Sequence, residues 1–171
     1  MIKVVLTGPE STGKSTLAKQ LADHFQTSMV AEYARQFIED LDRPYMESDL
    51  LDIARGQLEL EKQHIQKANS LLICDTDLLT IKIWSEFKYK RCDPQILRWI
   101  EQHQYDHYLL CGTEIEWQFD PQRENPTERL DLYAIYKKEL FIYNKIFTEI
   151  KGNETERFQQ ALQLIEPLLA K

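Results

Sequence analysis

Apolar positions along the chain switch between two periods. Ile2, Val4, Val5 and Leu6 make a short β-rich run, and Leu17, Leu21, Ala22 and Phe25 then recur at helical spacing. Ser28 to Ala31 predicts a second short strand. It leads directly into a helix carrying Ala34, Phe37, Ile38 and Leu41 on one face, which Arg43-Pro44 ends. A long amphipathic helix is predicted from Ser48 to about Ala68, with Leu51, Ala54, Leu58 and Ile65 inward. Leu71-Leu72-Ile73-Cys74 is a continuous apolar run of the kind a buried parallel strand shows. A helix through Leu79, Ile83, Trp84 and Phe87 follows. Asp93-Pro94 then supplies the N-cap and first-turn proline of a helix through Ile96, Leu97 and Ile100. Tyr105 to Cys111 reads as a strand. Between Gly112 and Asp131 the periodicity disappears into charge and proline, the mark of a lid or binding loop. A helix from about Leu132 to Phe147, a strand over about Thr148 to Lys151 and a Gly152-Asn153 turn come next. The terminal helix places Phe158, Ala161, Leu162, Ile165, Leu168 and Leu169 on one face.

Strands alternating with helices predict an α/β fold: about five parallel strands with right-handed crossovers, helices on both faces, and ligands at the C-terminal strand ends. No repeat, low-complexity tract or linker interrupts the 171 residues. One domain over residues 1–171 is therefore expected, with a lid at about 113–131.

Composition narrows the partners. With 43% hydrophobic and 29% charged residues, a soluble globular protein is expected. A net charge of −7 argues against a broad nucleic-acid or acidic-membrane surface, so any anionic ligand needs a local cluster of cations. No apolar run approaches the roughly 18 residues of a membrane span. Cys74, Cys92 and Cys111 lack metal-ligand spacing, and an odd count with no secretory signal points to a cytoplasmic location. Nothing in the sequence speaks to the oligomeric state.

The chemistry is concentrated after the first strand. Gly8-Pro9-Glu10-Ser11-Thr12-Gly13-Lys14-Ser15 matches G-x-x-x-x-G-K-[ST] at every required position, between a strand and a helix. In that pattern successive N–H groups of Gly8, Glu10, Ser11, Thr12, Gly13, Lys14, Ser15 and Thr16 cradle a polyphosphate at a helix N-terminus. Lys14 reaches the β/γ-phosphates and the Ser15 hydroxyl ligates Mg²⁺. Asp75 and Asp77 follow the strongest central-strand candidate. The expected division of labour is Asp75 on the metal and Asp77 on the substrate hydroxyl, although aspartate is also an ordinary helix cap. Glu32, which closes the second strand, is the competing base or substrate ligand, and Arg35 lies one turn later. Arg123 and Arg129, six apart in the irregular segment, suit a lid that closes on a transferring phosphoryl group. Trp117 and Phe119 either stack on a ring or anchor that lid.

With Glu32-Tyr33-Ala34-Arg35, Asp75-Thr76-Asp77 and the lid pattern Trp117-x-x-Asp120-x-x-Arg123, the chain resembles the ribosylnicotinamide kinase domain of the bacterial NAD-biosynthesis regulator and its stand-alone P-loop relatives. The resemblance runs through most of the length. It implies a nucleoside-monophosphate-kinase-like fold and ATP- and Mg²⁺-dependent phosphorylation of the 5′-hydroxyl of nicotinamide riboside. Glu32, Tyr33, Arg35, Asp77, Trp117 and Asp120 would then face the acceptor. Gly152, before Glu156-Arg157-Phe158, would lie near the adenine. Two departures fall on the acceptor side: Ala31 and the region of Leu60 replace aromatics that look like nicotinamide-stacking partners in the family. A kinase for another nucleoside or metabolite is the alternative, and a nucleotide-dependent regulator a more distant one. The length leaves no room for the DNA-binding and adenylyltransferase domains of the larger family proteins.

Overall fold

The structure, a computed structural model, describes residues 1–170. Among them β1 (Ile2–Thr7), β2 (Ser28–Val30), β3 (Leu71–Asp75), β4 (His107–Cys111) and β5 (Phe147–Ile150) form one parallel sheet in the order β2-β3-β1-β4-β5. The helices are α1 (Lys14–Phe25), α2 (Tyr33–Glu39), α3 (Asp49–Ile65), α4 (Leu78–Tyr89), α5 (Pro94–Gln102), α6 (Arg129–Ile142) and α7 (Glu154–Leu169).

Each central strand is apolar on both faces because helices cover both. Val5, Leu72, Cys74, Tyr108 and Leu110 join one core with α3, α4, α5 and α6. Val4, Leu6, Leu71, Ile73, Leu109 and Cys111 join the other, under α1 and α7. The α/β sheet expected from the sequence is present.

The strand order puts the topological switch between β1 and β4: the chain leaves β1 toward β2 and leaves β4 toward β5. Ligands in such sheets bind in the crevice at that point. Both loops singled out above, the glycine loop after β1 and the irregular segment after β4, open there.

Several boundaries differ from expectation, among them the start of α6, at Arg129 instead of about Leu132, and the end of α3, at Ile65 instead of about Ala68. The helix predicted through Phe147 ends at Ile142. Asn144 takes φ 50° and the Lys145 N–H returns to the Leu140 carbonyl at 2.9 Å, a left-handed closure that frees Phe147 for the edge strand. β4 starts at His107, two residues late, because Tyr105 instead packs edge-on against Tyr108 at 5.7 Å.

Candidate active site

The glycine loop is built tightly against the neighbouring strand. Gly8 has φ 129°, and a Cβ there would lie 2.8 Å from the Cys111 carbonyl, so only glycine fits. Gly13 caps α1 at φ 75°. The Thr12 hydroxyl donates to the Pro9 carbonyl at 2.8 Å, and Lys14 Nζ lies across the loop, 2.9 Å from the Gly8 carbonyl and 2.7 Å from that of Pro9.

Beneath an open cleft of about 150 Å³, residues 8, 10–16, 32, 35 and 123 come together. These are the loop residues Gly8, Glu10, Ser11, Thr12, Gly13, Lys14, Ser15 and Thr16, with Glu32, Arg35 and Arg123. Glu32 is the N-cap residue of α2, but its side chain caps nothing. Its carboxyl is pushed up to about 7, first by desolvation and then by the charge of Asp75, against the pull of Lys14 and Arg35. Asp75, 3% exposed at the end of β3, is raised by burial, with Lys14 and the Ser15 hydroxyl opposing the rise. Its Oδ1 is buried and has no hydrogen-bond partner among the described residues.

Asp77 is a correction. Both oxygens are engaged away from the cleft: Oδ1 accepts the Leu79 N–H at 3.2 Å and caps α4, and Oδ2 accepts the Tyr108 hydroxyl at 2.8 Å inside the core. Burial raises its carboxyl to about 6, with the Tyr108 bond opposing. Thr76 at φ 72° turns the backbone between the two aspartates, so the helix-cap reading of Asp77 is the one the geometry follows.

The segment after β4 lies over the glycine loop. Gln118 N–H donates to Ser11 Oγ at 2.8 Å, Arg123 Nη1 reaches the same oxygen at 3.3 Å, and Glu10 accepts the Glu124 and Asn125 N–H groups, each at 3.1 Å. Arg35 pairs with Asp120 at 2.9 Å, tying α2 to the lid. Arg129 differs from its expected role. Its guanidinium holds the Ser11 and Ile115 carbonyls, each at 2.8 Å, and so braces the lid. The Trp117 ring lies about 6.0 and 5.9 Å from the guanidinium carbons of Arg123 and Arg129 and is not among the residues that line the cleft. Phe119 is 88% exposed. Tyr33 also leaves the cleft: its ring covers Gly56 of α3, where a Cβ would meet it at 2.0 Å.

Two contributors were given no role of their own from the sequence. Arg157, 2% exposed on α7, donates to the carbonyls of Gly152 (2.7 Å), Thr12 (2.6 Å) and Gly112 (3.0 Å) and to Glu114 at 2.7 Å. One guanidinium thus joins the Gly152 turn, the glycine loop and the end of β4. Gly152 itself, at φ 94°, is a partner of Arg157 and is not among the residues that line the cleft. The available signal was spacing: Arg157 falls on the same stripe as Ala161 and Ile165. Trp84 of α4, counted as a core position, lines the cleft.

A family model described as an AAA domain matches residues 3–157. The chain belongs to this family. It is also similar to the trifunctional NAD biosynthesis/regulator protein NadR of Escherichia coli K12, 24% identical over 98% of the chain, and to that of Salmonella typhimurium, 25% identical over 98%. The chain spans 43% of the length of each. A crystal structure of NadR protein in complex with NR superposes with a TM-score of 0.84 at 18% identity, over 99% of this chain and 52% of that one. Thymidylate kinase from Candida albicans gives 0.67 at 14%, over 98% and 92%. These likenesses carry the P-loop kinase fold, and the NadR resemblance read from the motifs holds along the chain. No helix among the described residues is long and apolar enough to cross a membrane.

Proposed function

We propose that this AAA-domain chain is a small-molecule kinase that moves the γ-phosphoryl group of ATP to the 5′-hydroxyl of a riboside, nicotinamide riboside first among them. The observation that carries this is Glu32: a carboxyl raised to about 7, beside Asp75 and facing the Lys14 loop across a cleft. A carboxyl so placed opposite the phosphate loop can take the proton of a hydroxyl that enters the cleft.

In this reading the loop amides hold the phosphates, and Lys14 leaves the Gly8 and Pro9 carbonyls for the β/γ-oxygens. Asp75 and Ser15 would hold Mg²⁺. The buried, unpartnered Asp75 Oδ1 beside a serine hydroxyl suits a hard cation that takes one carboxylate, phosphate oxygens and water. When bound, the ion neutralises charge on the phosphate oxygens. Glu32 accepts the proton of the attacking 5′-hydroxyl, a role matched to a carboxyl that is half ionised near pH 7. Arg123, already at Ser11 of the glycine loop, supplies positive charge to the transferring group, and Arg35 orients acceptor oxygens beside Glu32. Asp77 is reassigned from base to positioning of α4.

The name of the NadR relatives, the NR in the complex noted above and the kinase neighbours all support this reading. A different riboside is the second reading, favoured by Ala31, which is exposed and offers no flat face, and by Leu60, which packs against the core. Competing nicotinamide, pyrimidine and purine ribosides for phosphate from ATP·Mg²⁺, with products identified by mass, separates the two. Preferred formation of nicotinamide riboside monophosphate is expected. Turnover of another riboside alone would replace that acceptor.

A further inference from the structure

A second cavity, of about 230 Å³, opens beside the cleft and shares Glu10, Ile38, Trp84 and Gln122 with it. Its own walls are apolar: Tyr45 from the segment between α2 and α3, Phe87 three residues beyond Trp84 on α4, and Leu132 from α6. Polar groups stand along one rim. Lys88 Nζ bonds Glu124 Oε1 at 2.8 Å and lies 4.0 Å from the Tyr45 ring centroid, and the Tyr45 hydroxyl donates to Glu124 Oε2 at 2.9 Å. Asn125 completes that rim.

Resting on the kinase reading, we propose that this cavity receives the acceptor's ring, with Trp84 as the face on which it stacks. The ring is a single six-membered heteroaromatic carrying an amide-like edge. Three observations converge. With the ribose hydroxyl at Glu32, the ring leaves the cleft along a shared wall, and Trp84 is the aromatic in that wall. The β2 side is closed to stacking: Ala31 has no flat face, Leu60 packs on the core, and the Tyr33 ring is turned onto Gly56. The size also fits. An apolar cavity of about 150 Å³ holds a benzene ring, so this one holds a ring with one exocyclic group. Such a group meets donors at Lys88 and Asn125 and an acceptor at Glu124. Lys88 and Glu124 neutralise each other, so the rim reads hydrogen-bonding pattern more than charge.

The test is the purified chain with ATP and Mg²⁺, varying nicotinamide riboside. Trp84→Ala is expected to raise the riboside KM about tenfold or more, the range of a lost base–aromatic stack. The KM for ATP stays unchanged, and Trp84→Phe recovers most of the loss. An unchanged riboside KM in Trp84→Ala, with turnover intact, overturns the ring site and leaves the kinase reading standing. No transfer by the wild-type chain to any riboside overturns the kinase reading and, with it, the ligand assigned to this cavity. If Trp84→Ala also loses its ATP-dependent thermal shift, Tyr45→Ala on the opposite wall takes its place, and an unchanged riboside KM there overturns the proposal in the same way.

Discussion

Glu32→Gln should disable the enzyme and stabilise the protein at once. The carboxyl sits at about 7 in the fold against an ordinary 4.5, because desolvation and Asp75 disfavour its charge. A carboxyl raised by folding binds its proton more tightly in the native state, so native stability falls as pH rises from the unfolded value toward the folded one. Below about pH 4.5 both states are protonated and the effect vanishes. Above pH 7 the full difference applies, up to about 3 kcal/mol, and near pH 5 less than about 1 kcal/mol remains. Glutamine has the same shape and no charge to desolvate. In the nucleotide-free protein at pH 7.5, Glu32→Gln should therefore melt up to about 10 °C higher than wild type, with the gap closing toward pH 5. Turnover should fall about 10²- to 10⁴-fold, the usual worth of a general base. Wild-type kcat/KM should rise with pH through about 7, a limb that the variant lacks. Equal melting temperatures at pH 7.5, or a gap independent of pH, would refute the assigned environment of Glu32.

Asp77→Ala removes the α4 cap and leaves the Tyr108 hydroxyl buried without its acceptor. Denaturant unfolding should show a loss of about 2–3 kcal/mol, while turnover measured well below the melting point falls far less than in Glu32→Gln. Lys14→Ala breaks only bonds to the loop's own carbonyls, so turnover should vanish with the circular dichroism spectrum unaltered; retained activity would contradict the phosphate-loop role. Arg157→Met strips the Thr12, Gly112 and Gly152 carbonyls of their shared donor. Unfolding should register a loss of about 3–5 kcal/mol, accompanied by weaker ATP binding in calorimetry.

Local signals carried much of this architecture. The glycine loop, the buried run at Leu71–Cys74 and the aperiodic segment after Cys111 each announce themselves within ten or twenty residues; the two loops fall at the switch between β1 and β4, and the run is β3, the other neighbour of β1. What local pattern does not encode is direction. Asp75 and Asp77 would share a side of an extended strand, but the left-handed turn at Thr76 sends one toward Ser15 and Lys14 and the other under α4 to Tyr108. The partners on either side of that turn are distant in the chain: the Thr76 N–H bonds the Leu6 carbonyl of β1 at 3.0 Å, and the Tyr108 hydroxyl of β4 holds Asp77. The same holds for Arg157, whose partners at residues 12 and 112 are brought to it only by the folded sheet. Trp84 looks like core because its spacing is helical. Its position beside the cleft depends on where α2 and the lid come to rest. The helix that stops at Ile142 shows the lesser case, where one left-handed residue, Asn144, outweighs continuing apolar periodicity.

The central claim is that the grip on a polyphosphate serves transfer to a riboside hydroxyl. It is tested most directly by following the γ-phosphorus of ATP by ³¹P NMR in the presence of Mg²⁺ and nicotinamide riboside. The signal is expected to move to a 5′-phosphomonoester of the riboside, one for each ADP formed, and neither Glu32→Gln nor Lys14→Ala should produce it at a comparable rate. Release of ADP and inorganic phosphate with the ribosides left unmodified would contradict it.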